Sequence, residues 1–132
     1  MNDRDRDLGE HIASHRAHAR TVLALDEELG THHGIDWSAF VLLDLLQSAG
    51  GDMPTAAAAA TQGLTPTRLL LQVLPLEKLG LVRRTRAGDG TRQLAMAASG
   101  RRLLREAGET AEGVLASLHN AACPPARAAT SS

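Results

Sequence analysis

Two groups of side chains in this 132-residue sequence are equipped for chemistry. The first lies between residues 65 and 92. Thr65, Thr67 and Arg68 follow directly on Gly63-Leu64, and Arg84, Arg86 and Arg92 bracket a glycine-containing segment. Hydroxyls and a guanidinium fork at the front of a helix suit hydrogen bonding to base edges or phosphates. Arginines along a hairpin suit phosphate or minor-groove contact. Thr65 also has the simpler role of a helix N-cap, and the two roles are compatible. The second group is imidazole. His11, His15 and His18 recur at spacings of four and three, which turns all three to one side of a helix. Such a cluster is a candidate zinc or transition-metal site or a pH sensor; the plainer reading is a half-exposed helix edge. Trp37 and Phe40, one turn apart, are either core anchors or, with His15 and His18, the lining of a small-molecule pocket. Cys123 is the only cysteine, so no internal disulfide framework exists, and its nearest basic neighbour is Arg127.

These side chains belong to a chain of one-domain length. Hydrophobic residues make up 43%, mostly Ala, Leu and Val, with one Trp, one Phe and no Tyr. A core of that composition is built from aliphatic contacts between helices. The net charge of −1 conceals a segregation. Residues 1–62 carry four arginines against ten carboxylates, whereas residues 63–105 carry nine basic side chains against Glu77 and Asp89. A basic central block on a neutral chain suggests a surface that faces a polyanion, with a solvated face as the bland alternative. The charged start lacks an apolar signal core, and no apolar run approaches a membrane span, so a cytoplasmic protein is expected. Nothing resembles a nucleophile elbow, a phosphate loop or a paired acid/base site; neither an enzyme nor a bound cofactor is expected.

Apolar and histidine positions from Leu8 to Leu29 predict a long first helix over 7–29, stopped by Gly30. Asp36 caps a second helix that Gly50-Gly51 ends. An alanine-rich short helix over 56–62 and a longer one from Thr65-Pro66 to Leu79 flank the Gly63-Leu64 turn. The alanines let a neighbouring backbone approach closely. Pro75 removes a backbone bond to Leu71 and predicts a bend. Strands over 81–86 and 91–97 then form a hairpin that places Arg84 and Arg86 on one face and Arg83 on the other. A last helix over 98–120 precedes a Pro- and Ala-rich ending, 121–132, expected to be disordered. The expected fold class is mainly α with a small β-hairpin: a winged helix-turn-helix over 53–97, flanked by N-terminal helices over 7–50 and by the last helix.

Several stretches resemble the multiple-antibiotic-resistance-regulator (MarR) family of bacterial transcription factors. Leu74-Pro75-Leu76-Glu77-Lys78-Leu79-Gly80-Leu81-Val82-Arg83-Arg84 is similar to the end of that family's recognition helix leading into its wing. Gly63-Leu64-Thr65, Ala98-Ser99-Gly100-Arg101-Arg102-Leu103-Leu104 and Gly34-Ile35-Asp36-Trp37-Ser38-Ala39-Phe40 match flanking positions. The resemblance covers roughly residues 20–118 and rests on the order and spacing of these motifs together. It implies a homodimer, held by the first and last helices, whose winged helices bind double-stranded DNA at a pseudo-palindromic operator under the control of a small-molecule effector. Leu70 and Leu71 depart from the polar or basic residues usual in mid-helix, and the wing tip Asp89-Gly90-Thr91-Arg92 is slightly short. Those leucines keep open an alternative: a winged-helix protein-interaction or metal- and pH-sensing module with weak or lost DNA readout.

Overall fold

The computed structural model describes residues 3–122. Five helices and three strands follow one another: α1 (Asp3–His33), α2 (Trp37–Ser48), β1 (Asp52–Pro54), α3 (Thr55–Gln62), α4 (Pro66–Lys78), β2 (Val82–Arg86), β3 (Arg92–Met96) and α5 (Ala98–Ala122). No helix among the described residues is long and apolar enough to cross a membrane.

The first helix is longer than expected at both ends. Gly30 does not stop it; the chain leaves the helix at Gly34, where φ is 71° and the N–H still donates to the Gly30 carbonyl at 3.2 Å. One glycine inside a long helix is a small loss of propensity, whereas the left-handed turn at residue 34 is where glycine is required. The stripe of apolar and histidine positions from Leu8 to Leu29 is also buried only in part. Leu25 and Leu29 are in the core and Val22 is half-buried, but every described residue up to Arg20 is exposed. An 18-residue stretch of α1 therefore has no cover from the rest of the chain.

Asp36 caps α2 as expected, its carboxylate accepting the Ala39 N–H at 2.8 Å. Leu42, Leu43 and Leu46 of α2 meet Leu25 and Leu29 of α1, Leu69, Val73 and Leu76 of α4, and Leu94 and Met96 of β3 in one core. No polar or charged side chain is buried among the described residues. The alanine run acts as anticipated: Ala58 and Ala59 are buried, and small side chains there let α3 sit close beside its neighbours. Ala107 and Ala111 serve the same purpose on α5.

The sheet has three strands where two were expected. Gly51 takes φ of 108° and aligns Asp52–Pro54 along β3, giving the order β1-β3-β2, antiparallel throughout. Pro54 fits because an edge strand does not need its N–H. At the far end α5 runs to Ala122, two residues further than expected. The rest of the predicted tail, Cys123 included, lies outside the described residues.

Candidate nucleic-acid interface

The short turn between α3 and α4 is closed from within the backbone. Gly63 takes φ of 68°, its N–H donates to Ala60 at 3.1 Å, and Leu64 donates to Ala59 at 2.9 Å. This closure satisfies the last carbonyls of α3 and turns the chain directly into α4. Thr65 caps α4, its hydroxyl accepting the Arg68 N–H at 3.2 Å, with Pro66 in the first turn. The helix then continues through Pro75 to Lys78. Leu69, Val73 and Leu76 anchor it in the core, so the remaining sides stay free. Thr65, Thr67 and Arg68 are all exposed. Arg68 belongs to the first turn, where the helix dipole also favours an anion.

The register of the hairpin sets the arginines. Val82 pairs with Met96, Arg84 with Leu94, and Arg86 with Arg92. Cross-strand partners share a face, so a single face carries all six side chains. It is buried at the base, at Val82, Leu94 and Met96, and basic toward the tip, at Arg84, Arg86 and Arg92. Beyond the edge of the core this face looks across at α4. Between them lies an open cleft of about 610 Å³, lined by Thr67 and Leu70 from α4 and by Arg84, Arg86 and Arg92 from the wing. Thr55, Thr85 and Gln93 complete its polar wall. Thr65 and Arg68 sit on the same helix end but outside the cleft lining.

Two of these arginines have partners within the chain. Arg84 Nε donates to both carboxylate oxygens of Glu77, at 3.2 and 3.0 Å, and its Nη2 lies 3.0 Å from Oε1. That hydrogen bonding, with the opposite charge behind it, holds the Glu77 carboxyl below its usual range and raises Arg84. Arg86 Nη1 donates to the Gly90 carbonyl at 3.2 Å and braces the turn. At the tip, hydrogen bonds from Thr91, side chain first and then backbone, lower the Asp89 pKa. Arg84 is thus partly neutralised by its neighbour on α4, which the sequence reading of the basic block did not foresee. Glu77 lies in a different element from Arg84, so no periodic spacing announces the pair. The basic block also divides in space. Arg101, Arg102 and Arg105 belong to α5, outside the cleft lining, and the Arg101 guanidinium lies against Gly51.

The remaining candidates occupy other parts of the fold. Trp37 and Phe40 stack at 5.2 Å between ring centroids, 18° apart, half-buried against the core. The Trp37 N–H donates to Asp26 at 2.7 Å, tying α2 to α1. His11, His15 and His18 lie on the exposed half of α1 and do not join the two aromatics in one lining. Among the described residues no group of three or more His, Cys, Asp or Glu side chains comes together as a metal site. His32 pairs with Glu28 at 3.2 Å, and His33 is hydrogen-bonded to Thr110 of α5 at 2.7 Å.

No protein-family model matches this sequence, and no curated protein matches it. Solved structures do. A transcriptional regulator named BldR from Sulfolobus solfataricus superposes with a TM-score of 0.78 at 22% identity, over 95% of this chain and 87% of its own. A MarR-family transcriptional regulator from Streptomyces coelicolor, solved in complex with DNA, gives 0.75 at 19% identity, over 87% and 72%. CouR from Rhodococcus jostii, bound to p-coumaroyl-CoA, gives 0.70 at 25% identity, over 82% and 75%. Further MarR-family regulators share the architecture. The fold is the MarR-type winged helix.

Proposed function

We propose that a chain of this winged-helix architecture is a DNA-binding transcriptional regulator that acts as a homodimer on a pseudo-palindromic operator. The observation that carries the reading is the shared cleft: Thr67 of α4 faces Arg84, Arg86 and Arg92 of the wing across an open space, with Arg68 exposed at the helix front. A helix front supplies donors to base edges, and the wing cations supply contacts to the phosphates alongside. Thr65, Thr67 and Arg68 take the first role; Arg84, Arg86 and Arg92 take the second. The neighbour solved with DNA has the same fold and supports the assignment.

Dimerisation follows from the uncovered half of α1. Most helical stability in proteins comes from packing of an apolar face, and Leu8 and Ile12 on this stretch are 61% and 40% exposed. Leu115 and Leu118 of α5 are exposed as well. A second copy packing α1 and α5 against their counterparts buries these side chains and spaces two winged helices for two half-sites. A small-molecule effector completes the reading. The cleft of about 560 Å³ between α1 and α5, with Glu27, Glu28 and Thr110 in its wall, is where such a molecule would bear on the dimer arm.

The exposed Leu70, Leu71 and Leu74 favour a second reading, a protein-interaction module without DNA readout. A mobility shift with the chain's own upstream DNA at two salt concentrations separates them. Specific binding with a steep salt slope is the expected result; no binding at low salt supports the second reading.

A further inference from the structure

The open side of α4 carries a surface that threonine and arginine contacts leave unused. One turn on from Thr67, the same row reaches Leu71 and then Leu74. Leu71 is 64% exposed and Leu70 is 39% exposed. Leu70 lines the cleft beside Thr67 and the wing arginines. Leu70 therefore stands at the cleft itself, and Leu71, outside the cleft lining, follows Thr67 along the exposed row, directly behind the turn that bears Thr67 and Arg68.

A leucine neither donates nor accepts a hydrogen bond. On the major-groove floor a G·C pair offers N7, O6 and N4–H and no methyl group, whereas an A·T pair offers one apolar group, the thymine C5-methyl. Leucine pressed over G·C removes water from polar atoms and returns no partner. Over thymine, two apolar surfaces leave water together. The same side chains thus favour one base pair and disfavour the other.

We infer that Leu70 and Leu71 read thymine methyl groups, so that each operator half-site has A·T pairs next to the positions contacted by Thr67 and Arg68. The inference rests on the proposed DNA-binding function and names the base chemistry of that interface. It turns the two residues that argued against DNA readout into its apolar component.

The test uses the full chain and two alternating duplexes, one of deoxyadenosine and thymidine and one with deoxyuridine in place of thymidine. They differ only by the C5-methyl. Binding measured by fluorescence anisotropy is expected to be tighter on the thymidine duplex, by about fourfold for each methyl withdrawn from water. In the Leu70→Ala/Leu71→Ala variant the preference is expected to vanish while the salt slope stays unchanged. Both leucines lie outside the buried core, so the variant is expected to melt as the parent does, and the Leu71→Ala single variant gives an intermediate ratio. Equal affinity of the parent for both duplexes overturns the inference while leaving DNA binding standing. A preference that survives in the double variant also overturns it, because the methyl then acts through duplex shape. Binding to neither duplex at low salt overturns the inference and the DNA-binding function together.

Discussion

Replacing Glu77 by Gln removes a negative charge from the root of the wing while keeping the size of the side chain. In the folded protein that carboxylate holds Arg84 through Nε and Nη2 at 3.0–3.2 Å, so the arginine's charge is partly offset within the chain. The pair is solvent-exposed, and exposed pairs add little to stability, so the thermal midpoint should barely move. DNA binding should change more. A released Arg84, already on the face that carries Arg86 and Arg92, no longer has Glu77 competing with phosphate for its guanidinium and makes its contact in full. Each added phosphate contact steepens the salt dependence by about 0.9. Between about 50 and 200 mM salt that is about 3.5-fold for one contact and about 12-fold for two, one per protomer. The assay is fluorescence anisotropy on a non-specific duplex over a salt series, with Glu77→Gln compared to the Glu77→Gln/Arg84→Ala double variant. The single variant should bind more tightly at low salt with the steeper slope, and the double variant should lose the gain. If Glu77→Gln weakens binding instead, Glu77 must hold Arg84 where phosphate needs it, and the pair does not partly neutralise the wing.

Further expectations follow from the same geometry. Arg68→Ala should flatten sequence preference in a competition assay, whereas Arg86→Ala should weaken all duplexes alike and shallow the salt slope; an unchanged affinity in Arg86→Ala refutes the wing assignment. Leu8→Ser with Ile12→Ser should lower the mass seen by light scattering from dimer toward monomer, with loss of helical signal confined to the uncovered half of α1. A retained dimer would place the interface elsewhere. Leu29→Ala, at a fully buried position, should destabilise the fold by about 2–5 kcal/mol in denaturant titrations. Because the folded Glu77 pKa lies below its unfolded value, the Glu77–Arg84 contribution is fully present above the ordinary carboxylate range and is lost as pH falls through the lowered value. A carboxyl NMR titration should show the Glu77 midpoint rising in Arg84→Ala.

Much of the architecture could be read from local chemistry. The Asp36 and Thr65 caps, the Gly63 turn and the alternation that groups Arg84 with Arg86 each depend on a few consecutive residues. Local reading failed where two signals competed or where the partner was remote. Gly30 looked like a stop, but the segment 31–33 kept its helical bonds and Gly34 took the turn. Asp52–Pro54 is too short to show a strand pattern; only its pairing with β3 makes it one. The stripe on α1 was correctly helical, yet its period could not tell which turns would be covered by this chain and which left bare.

What the sequence by itself determined is therefore the order of helices and hairpin and the identity of the donors and cations within it, because capping, turn formation and side-chain alternation act over a few residues. Tertiary structure decided the rest: that Arg84 pairs with Glu77, that Trp37 and Phe40 stack half-buried against the core, and that Leu70 and Leu71 are exposed on the same helix as Thr67. Burial and pairing between distant elements depend on which surfaces the packed core brings together, and a linear spacing does not contain that information.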